Sequence, residues 1–321
     1  MPKSKWNLNT IYISERLQES LRPISRCAMT TVVAPMGYGK TTAVEWYLAE
    51  RAGAEAPYIV RISVYSSNLA IFWKSVQDAF ARAGFAFLRE YDCPTDGASG
   101  GLLIDDLCHA LTGEKSCYIF IDDFHLLTDK RAPGFLCALA GRLPPNVHLI
   151  LASRDLFLPA AELVRLGGKV YQIGTAQLRL NHTELAVYTK RCGTALSDEQ
   201  IDTLLYYSEG WFSAVYLNLR MFSEHGVLPD PNSDISSIFT AAMIDPLPEK
   251  QREFLAVMGL ADEFTVEMAQ FVMADAHAED LLAALTGQNA FVKRLPDGAT
   301  YRFHHMMKEC ALHTFLSMPK E

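Results

Sequence analysis

Thr31-Val32-Val33-Ala34-Pro35-Met36-Gly37-Tyr38-Gly39-Lys40-Thr41-Thr42 decides the fold of this chain. Apolar β-branched residues lead into a loop with Gly37 and Gly39, and Lys-Thr-Thr then opens the helical pattern Ala43-Val44-Glu45-Trp46-Tyr47-Leu48-Ala49-Glu50. A glycine loop between a buried strand and a helix turns backbone N–H groups inward and adds the positive end of the helix dipole, which makes a cradle for phosphates. In such a cradle Lys40 reaches the outer phosphates and Thr41 offers its hydroxyl to Mg²⁺. The pattern G-x-x-x-x-G-K-[ST] is met except at its first position, Ala34, where alanine fits if the backbone keeps an ordinary conformation. An ordinary glycine turn is the competing reading. The strand before the loop and the helix after it favour the phosphate loop.

Working outward, short apolar runs at residues 30–34, 58–64, 117–122, 148–152 and 170–173 alternate with helical patterns such as 70–83 and 102–111. Short strands between longer helices predict a parallel sheet covered on both faces, an α/β/α sandwich. Residues 92–101, with three glycines and a proline, read as a mobile loop. Beyond about residue 176 the pattern turns helical. Asn181-His182-Thr183-Glu184 and Ser197-Asp198-Glu199-Gln200 are helix starts, with a capping side chain and a partner three residues on. Further helices run up to Tyr207 and over 212–222, residues 228–234 read as a linker, and helix resumes near Ile235. Two apolar strands around Pro296-Asp297-Gly298 then make a β-hairpin, and helices followed by a hairpin suggest a winged helix.

Composition narrows the function. Half of the 321 residues are hydrophobic, enough for two or three cored domains. No apolar run approaches a membrane span and the N-terminus has no signal-like apolar segment. The seven cysteines are scattered without C-x-x-C pairs, as in a reduced cytoplasmic protein. The nine histidines and the carboxylates show no metal-ligand spacing, and a net charge of −8 argues against a dominant nucleic-acid surface.

Cys117-Tyr118-Ile119-Phe120-Ile121-Asp122-Asp123 is the second signal: a buried strand ending in two acids. After a phosphate loop, Asp122 is placed to hold Mg²⁺ through water and Asp123 to orient or deprotonate an attacking water. By itself it would read as a strand running into a solvated acidic turn. Arg154 follows the strand ending in Ser153, where open parallel sheets bind ligands. It either senses the γ-phosphate or is a surface arginine paired with Asp155 or Glu162. His304-His305, at a hairpin-to-helix junction, reads as structural from the residues alone, and Trp211 as core.

These segments together resemble the N-terminal part of the large ATP-binding bacterial transcription activators with a LuxR-type C-terminus, the maltose-regulator-like members of the STAND class of P-loop NTPases. The resemblance is carried by residues 34–42, Phe72-Trp73, Phe120-Ile121-Asp122-Asp123-Phe124-His125, Leu149-Ile150-Leu151-Ala152-Ser153-Arg154, Leu178-Arg179-Leu180 with Glu184, Gly210-Trp211, and Tyr301-Arg302-Phe303-His304-His305. It implies an arm at 1–27 lining the nucleotide through the stretch that holds Arg16, a nucleotide-binding domain at 28–175, a helical domain at 176–234 and a winged helix at 235–321. It further implies ATP and ADP with Mg²⁺ as ligands, Pro35, Met36, Gly37, Tyr38, Gly39, Lys40, Thr41 and Thr42 on the phosphates, Thr41 and Asp122 at the metal, Asp123 as hydrolytic acid, Arg154 as the sensor, and His304 touching the ADP β-phosphate. The implied activity is slow ATP hydrolysis that resets a switch, with self-association in the ATP form and an inducer sensed by a domain not in this chain. The implied DNA-binding helix-turn-helix is likewise not in this chain, so DNA is not expected as its partner. Ser66-Ser67-Asn68 and Gln177 depart from the acids usual in that family. A nucleotide-held scaffold without turnover is the second expectation, and DNA binding through the winged helix a third.

Overall fold

The computed structural model describes residues 7, 8, 10–225, 240, 244, 245, 247–288, 292–295, 297–303, 308, 311, 312 and 314–316. The chain divides into two compact units: residues 1–205 with 209–212, and residues 206–208 with 213–321. The division runs through the segment expected to form a helical domain.

The first unit is built on five parallel strands, β1 (Met29–Val33), β2 (Tyr58–Ser63), β3 (Cys117–Asp122), β4 (Val147–Ser153) and β5 (Val170–Ile173), in the order β2-β3-β4-β1-β5. Every residue of β3 and β4 is buried, which is why both read as unbroken apolar runs instead of alternating ones. Alternation decides which core each side chain enters. Ile119, Ile121, Leu149 and Leu151 pack with α3 (Leu69–Arg82), α4 (Gly97–Leu111) and α5 (Arg131–Arg142). Tyr118, Phe120, Ile150 and Ala152 face the other way, onto α2 (Lys40–Glu55) and the arm with α1 (Glu15–Leu21).

Residues 97–101 are helical, which corrects the expectation of a mobile loop over 92–101. Asp96 caps α4 by accepting the Ser99 N–H at 2.8 Å, and the Ser99 side chain reaches back to the Asp96 N–H. This capping box offsets the poor helix propensity of the glycines behind it.

After α6 (Ala160–Leu166) and the short α7 (Thr175–Leu178) come α8 (His182–Arg191), α9 (Asp198–Ser208) and α10 (Phe212–His225). Asn181 and Ser197 cap α8 and α9 in the reciprocal boxes expected from the sequence. Gln177, one of the two departures from the family pattern, accepts the Gly174 N–H at the start of α7.

The second unit has the order α11 (Glu249–Met258), β6 (Phe264–Thr265), α12 (Val266–Met273), α13 (Ala278–Gln288), β7 (Val292–Arg294), β8 (Thr300–Phe303), with an antiparallel sheet β6-β8-β7. That is a winged helix. The Asp297 carboxylate accepts the Ala299 and Thr300 N–H groups in the wing turn, and Gly298 takes φ +72°. Phe264 packs beside Phe254, Tyr301 and Phe303. The two-residue β6 carried no periodic signal in the sequence. The expected linker at 228–234 lies outside the described residues.

Candidate phosphate-binding site

Parallel strands bring the C-terminal ends of β1, β3 and β4 to one edge, and β1 is where the strand order reverses. Ligands bind outside the carboxyl ends of strands at such a point. Val33 is level with Ser153, and Ile121 with Leu151, so the glycine loop, Arg154 and the acid pair leave the sheet side by side.

The loop is shaped by its glycines. Gly37 and Gly39 take φ +75° and +76°, a region closed to most side chains, and they alternate with Met36 and Tyr38. This is the local geometry that turns successive N–H groups to one side. Gly39 immediately precedes α2, so the helix N-terminus opens onto the loop. Lys40 is buried, and its Nζ donates to the Ala34 carbonyl at 2.8 Å and the Pro35 carbonyl at 3.0 Å. Burial pulls its pKa below the usual lysine value. Asp123 pushes it back up, Arg154 pulls it down and Asp122 raises it. Two acids and a guanidinium therefore act on one amine, the four groups coming from three strand ends.

Asp122 ends β3 buried, and its Oδ1 accepts the Asp123 N–H at 2.9 Å. Asp123 itself adopts the left-handed conformation, φ 55° and ψ 35°, and starts the turn Phe124–Leu126. A non-glycine residue in that region stores strain of the kind found at functional sites. Arg154 lies with Nη2 at 3.5 Å from the Met36 sulfur, so it lines the loop. Glu162, its alternative partner from the sequence, is paired with Arg165 at 2.6 Å. A hollow of about 430 Å³ borders the loop, lined by Ala34, Pro35, Arg154 and Gly174 among others. A larger cavity of about 700 Å³ lies among α3, α4 and α5, with Phe72, Trp73 and Phe135 in its wall. It touches none of Lys40, Asp122, Asp123 or Arg154, so the converging charges locate the site better than volume does.

Thr41 and Asp122 offer hard oxygen ligands beside a phosphate cradle. Among the described residues no group of three or more His, Cys, Asp or Glu is arranged to hold a metal. That donor set suits Mg²⁺, which keeps several waters and is held through one or two protein oxygens plus phosphates.

Two residues take parts that the sequence did not reveal. Trp211, read as core, is half-buried; its Nε1 donates to the Met36 carbonyl at 2.8 Å, and its ring stacks on Tyr38 at 6.2 Å. Arg16, expected at the nucleotide, makes a two-point pair with Glu184 at 2.9 Å for both contacts and donates to the carbonyls of Ala176 and Arg179. His304 and His305 lie outside the described residues. The pairing of Gly210-Trp211 in one motif was the only hint of a role for Trp211.

Residues 240–320 match the MalT winged helix domain. The chain is similar to the HTH-type transcriptional regulator MalT of Vibrio campbellii, with 21% identity over 97% of this chain and 36% of that protein. MalT of Yersinia pestis strain Pestoides F is 22% identical over the same shares. The chain thus spans little more than a third of the length of the curated relatives it matches. Among solved structures, a Walker-type ATPase of Pyrococcus abyssi aligns with 98% of this chain and 99% of its own at 12% identity, with a TM-score of 0.47. The similarity to MalT takes in both the phosphate loop and the winged helix, as in the N-terminal ATPase region of a MalT-like regulator.

Proposed function

We propose that this chain is the nucleotide-operated core of a MalT-like transcription regulator: it binds ADP and ATP with Mg²⁺ and hydrolyses ATP slowly to reset a switch. The glycine loop that folds the buried Lys40 amine back onto the Ala34 and Pro35 carbonyls, at the sheet edge where Asp122, Asp123 and Arg154 leave their strands, carries this reading. A phosphate-loop lysine, a metal-holding acid, a water-orienting acid and an arginine are recurring parts of phosphoryl-transfer sites.

In this reading residues 35–42 wrap the phosphates with backbone N–H groups, and Lys40 leaves the Ala34 and Pro35 carbonyls to pair with the outer phosphates. Thr41 and Asp122 would hold Mg²⁺, and a bound Mg²⁺ would supply charge screening. Asp123, re-aimed by its left-handed backbone, takes the proton of the attacking water. Arg154 reads the outer phosphate and passes its presence to the loop through Met36. His304, which lies outside the described residues, is the β-phosphate residue that the family resemblance proposes, and Arg16 holds the arm to Glu184. A ligand moves such a switch only by its differential affinity for the two states. The domain bounds proposed for the machine are 28–175 for the nucleotide domain, 176–234 for the helical domain and 235–321 for the winged helix. The inducer acts on another part of the regulator, and the ATP form self-associates in the cytoplasm. Among the described residues no helix is long and apolar enough to cross a membrane. The first turn of α13 carries Glu279 and Asp280, which disfavours DNA as the partner of this winged helix.

Single-turnover phosphate release tests the hydrolytic part. Wild type releases phosphate from Mg·ATP, and Asp123→Asn keeps ATP bound without releasing it. Release by Asp123→Asn at the wild-type rate removes Asp123 from the chemistry, and absence of release from wild type reduces the nucleotide to a structural part.

A further inference from the structure

Met36 and Tyr38 occupy positions that the phosphate-loop pattern leaves free, yet both are gripped by one side chain. Trp211 donates its indole N–H to the Met36 carbonyl at 2.8 Å, and its ring lies over Tyr38 at an interplanar angle of 23°. The two contacts bracket Gly37. Within one planar trans peptide, C=O and N–H point in opposite directions. Fixing the Met36 carbonyl on Trp211 therefore turns the Gly37 N–H to the other side of that peptide, and Gly37 sits at φ +75°, a conformation glycine enters as readily as its mirror image.

Trp211 is itself held firmly. Glu209 and Gly210, just before it, are both left-handed, at φ 49° and 75°. The Gly210 carbonyl accepts the Leu180 N–H at 2.9 Å, and a Cβ on Gly210 would lie 2.1 Å from the Leu180 oxygen. The neighbouring Arg179 carbonyl accepts from Arg16 at 2.6 Å, and Arg16 is locked to Glu184. The Tyr38 hydroxyl is pushed above its ordinary pKa by burial and then by Glu209, with Arg179 opposing, so the same corner surrounds the second grip point. All of these residues belong to the first unit.

From this geometry we infer that Trp211 is a positioning residue for phosphate binding: its indole N–H orients the Met36–Gly37 peptide so that the loop can donate to a nucleoside diphosphate. This rests on the nucleotide-binding reading above. The same bond makes Trp211 a reporter, because a phosphate that pulls on the loop also pulls on the indole.

The test uses the full chain, fluorescent N-methylanthraniloyl-ADP as probe, and Trp211→Phe, which keeps a ring over Tyr38 and removes the donor. The expected result is about a tenfold loss of affinity, the worth of one well-placed hydrogen bond. Trp211→His, which restores a donor, recovers part of it. Unlabelled ADP changes the tryptophan emission of wild type, and that change is lost in Trp211→Phe although three of the four tryptophans remain. Wild-type affinity in Trp211→Phe overturns the inference. So does a variant whose loss is only that of a lower melting point, with full affinity regained below its transition. If wild type and Lys40→Ala both fail to bind the probe, the nucleotide reading itself falls and this inference with it.

Discussion

Arg16 and Glu184, 168 residues apart in sequence, meet in a two-point ion pair with Nε–Oε1 and Nη2–Oε2 both at 2.9 Å. The pair closes the N-terminal arm onto the start of α8. Glu184 is mostly enclosed while Arg16 is 39% exposed, so the pair lies between a surface bridge and a buried one. Its worth is discounted accordingly: Arg16→Ala is expected to cost about 2 kcal/mol in urea denaturation at neutral pH.

The same pair sets an acid dependence. Burial alone would raise the Glu184 pKa, but hydrogen bonds from Arg16, from Ser14 and from the Asn181 N–H overcome it and hold the carboxyl below its ordinary 4.5. A depressed carboxylate contributes stability that is full above pH 4.5 and lost as pH falls through the lower native value. Wild type should therefore exceed Glu184→Gln in stability at pH 7, with the gap closing below about pH 4.5. A gap that widens on acidification refutes this assignment.

His148 gives a second pH signature nearer neutrality. It is buried in β4 with Nδ1 at 2.9 Å from the Cys27 carbonyl, so the neutral ring carries its proton on Nδ1. Burial lowers its pKa below 6.5, with the Cys27 carbonyl opposing. The unfolded chain binds the proton more readily, so stability is full above pH 6.5 and falls as the medium is acidified through the native value. Denaturation at pH 7 and pH 5.5 should show a larger loss for wild type than for His148→Gln.

Glycine positions separate backbone necessity from habit. Gly210→Ala puts a Cβ 2.1 Å from a backbone oxygen at φ +75°, and should cost at least about 3 kcal/mol. Gly53, inside α2, has ordinary φ and nothing within 4 Å of a built Cβ. Gly53→Ala should stabilise by up to about 1 kcal/mol. Equal effects at the two positions in thermal melts would contradict the packing described for Gly210.

What the sequence disclosed follows from how far apart the interacting residues lie. The phosphate loop, the acid-ended strand and the Asn181–Glu184 and Ser197–Gln200 boxes are written in consecutive residues, and each was legible. The sheet was legible because β3 and β4 are apolar throughout. The Trp211 bond to Met36 spans 175 residues, and Arg16 to Glu184 nearly as many; no local pattern encodes them. Arg16 belongs to a stretch that the family resemblance places at the nucleotide, and in the fold it donates to Glu184, Ala176 and Arg179. The start of α4 was hidden because Gly97, Gly100 and Gly101 mask a helix that Asp96 caps. The left-handed backbone of Asp123 has no sequence signal, since aspartate at a strand end predicts no particular backbone.

The central claim is that the glycine loop binds nucleotide phosphates through Lys40. Calorimetric titration of Mg·ADP and Mg·ATP into the full chain and into Lys40→Ala tests it most directly. The account predicts saturable binding to wild type and a loss of about a hundredfold or more in Lys40→Ala, since a charge-assisted contact to phosphate is removed. Undiminished binding to Lys40→Ala, with the variant folded, would contradict it.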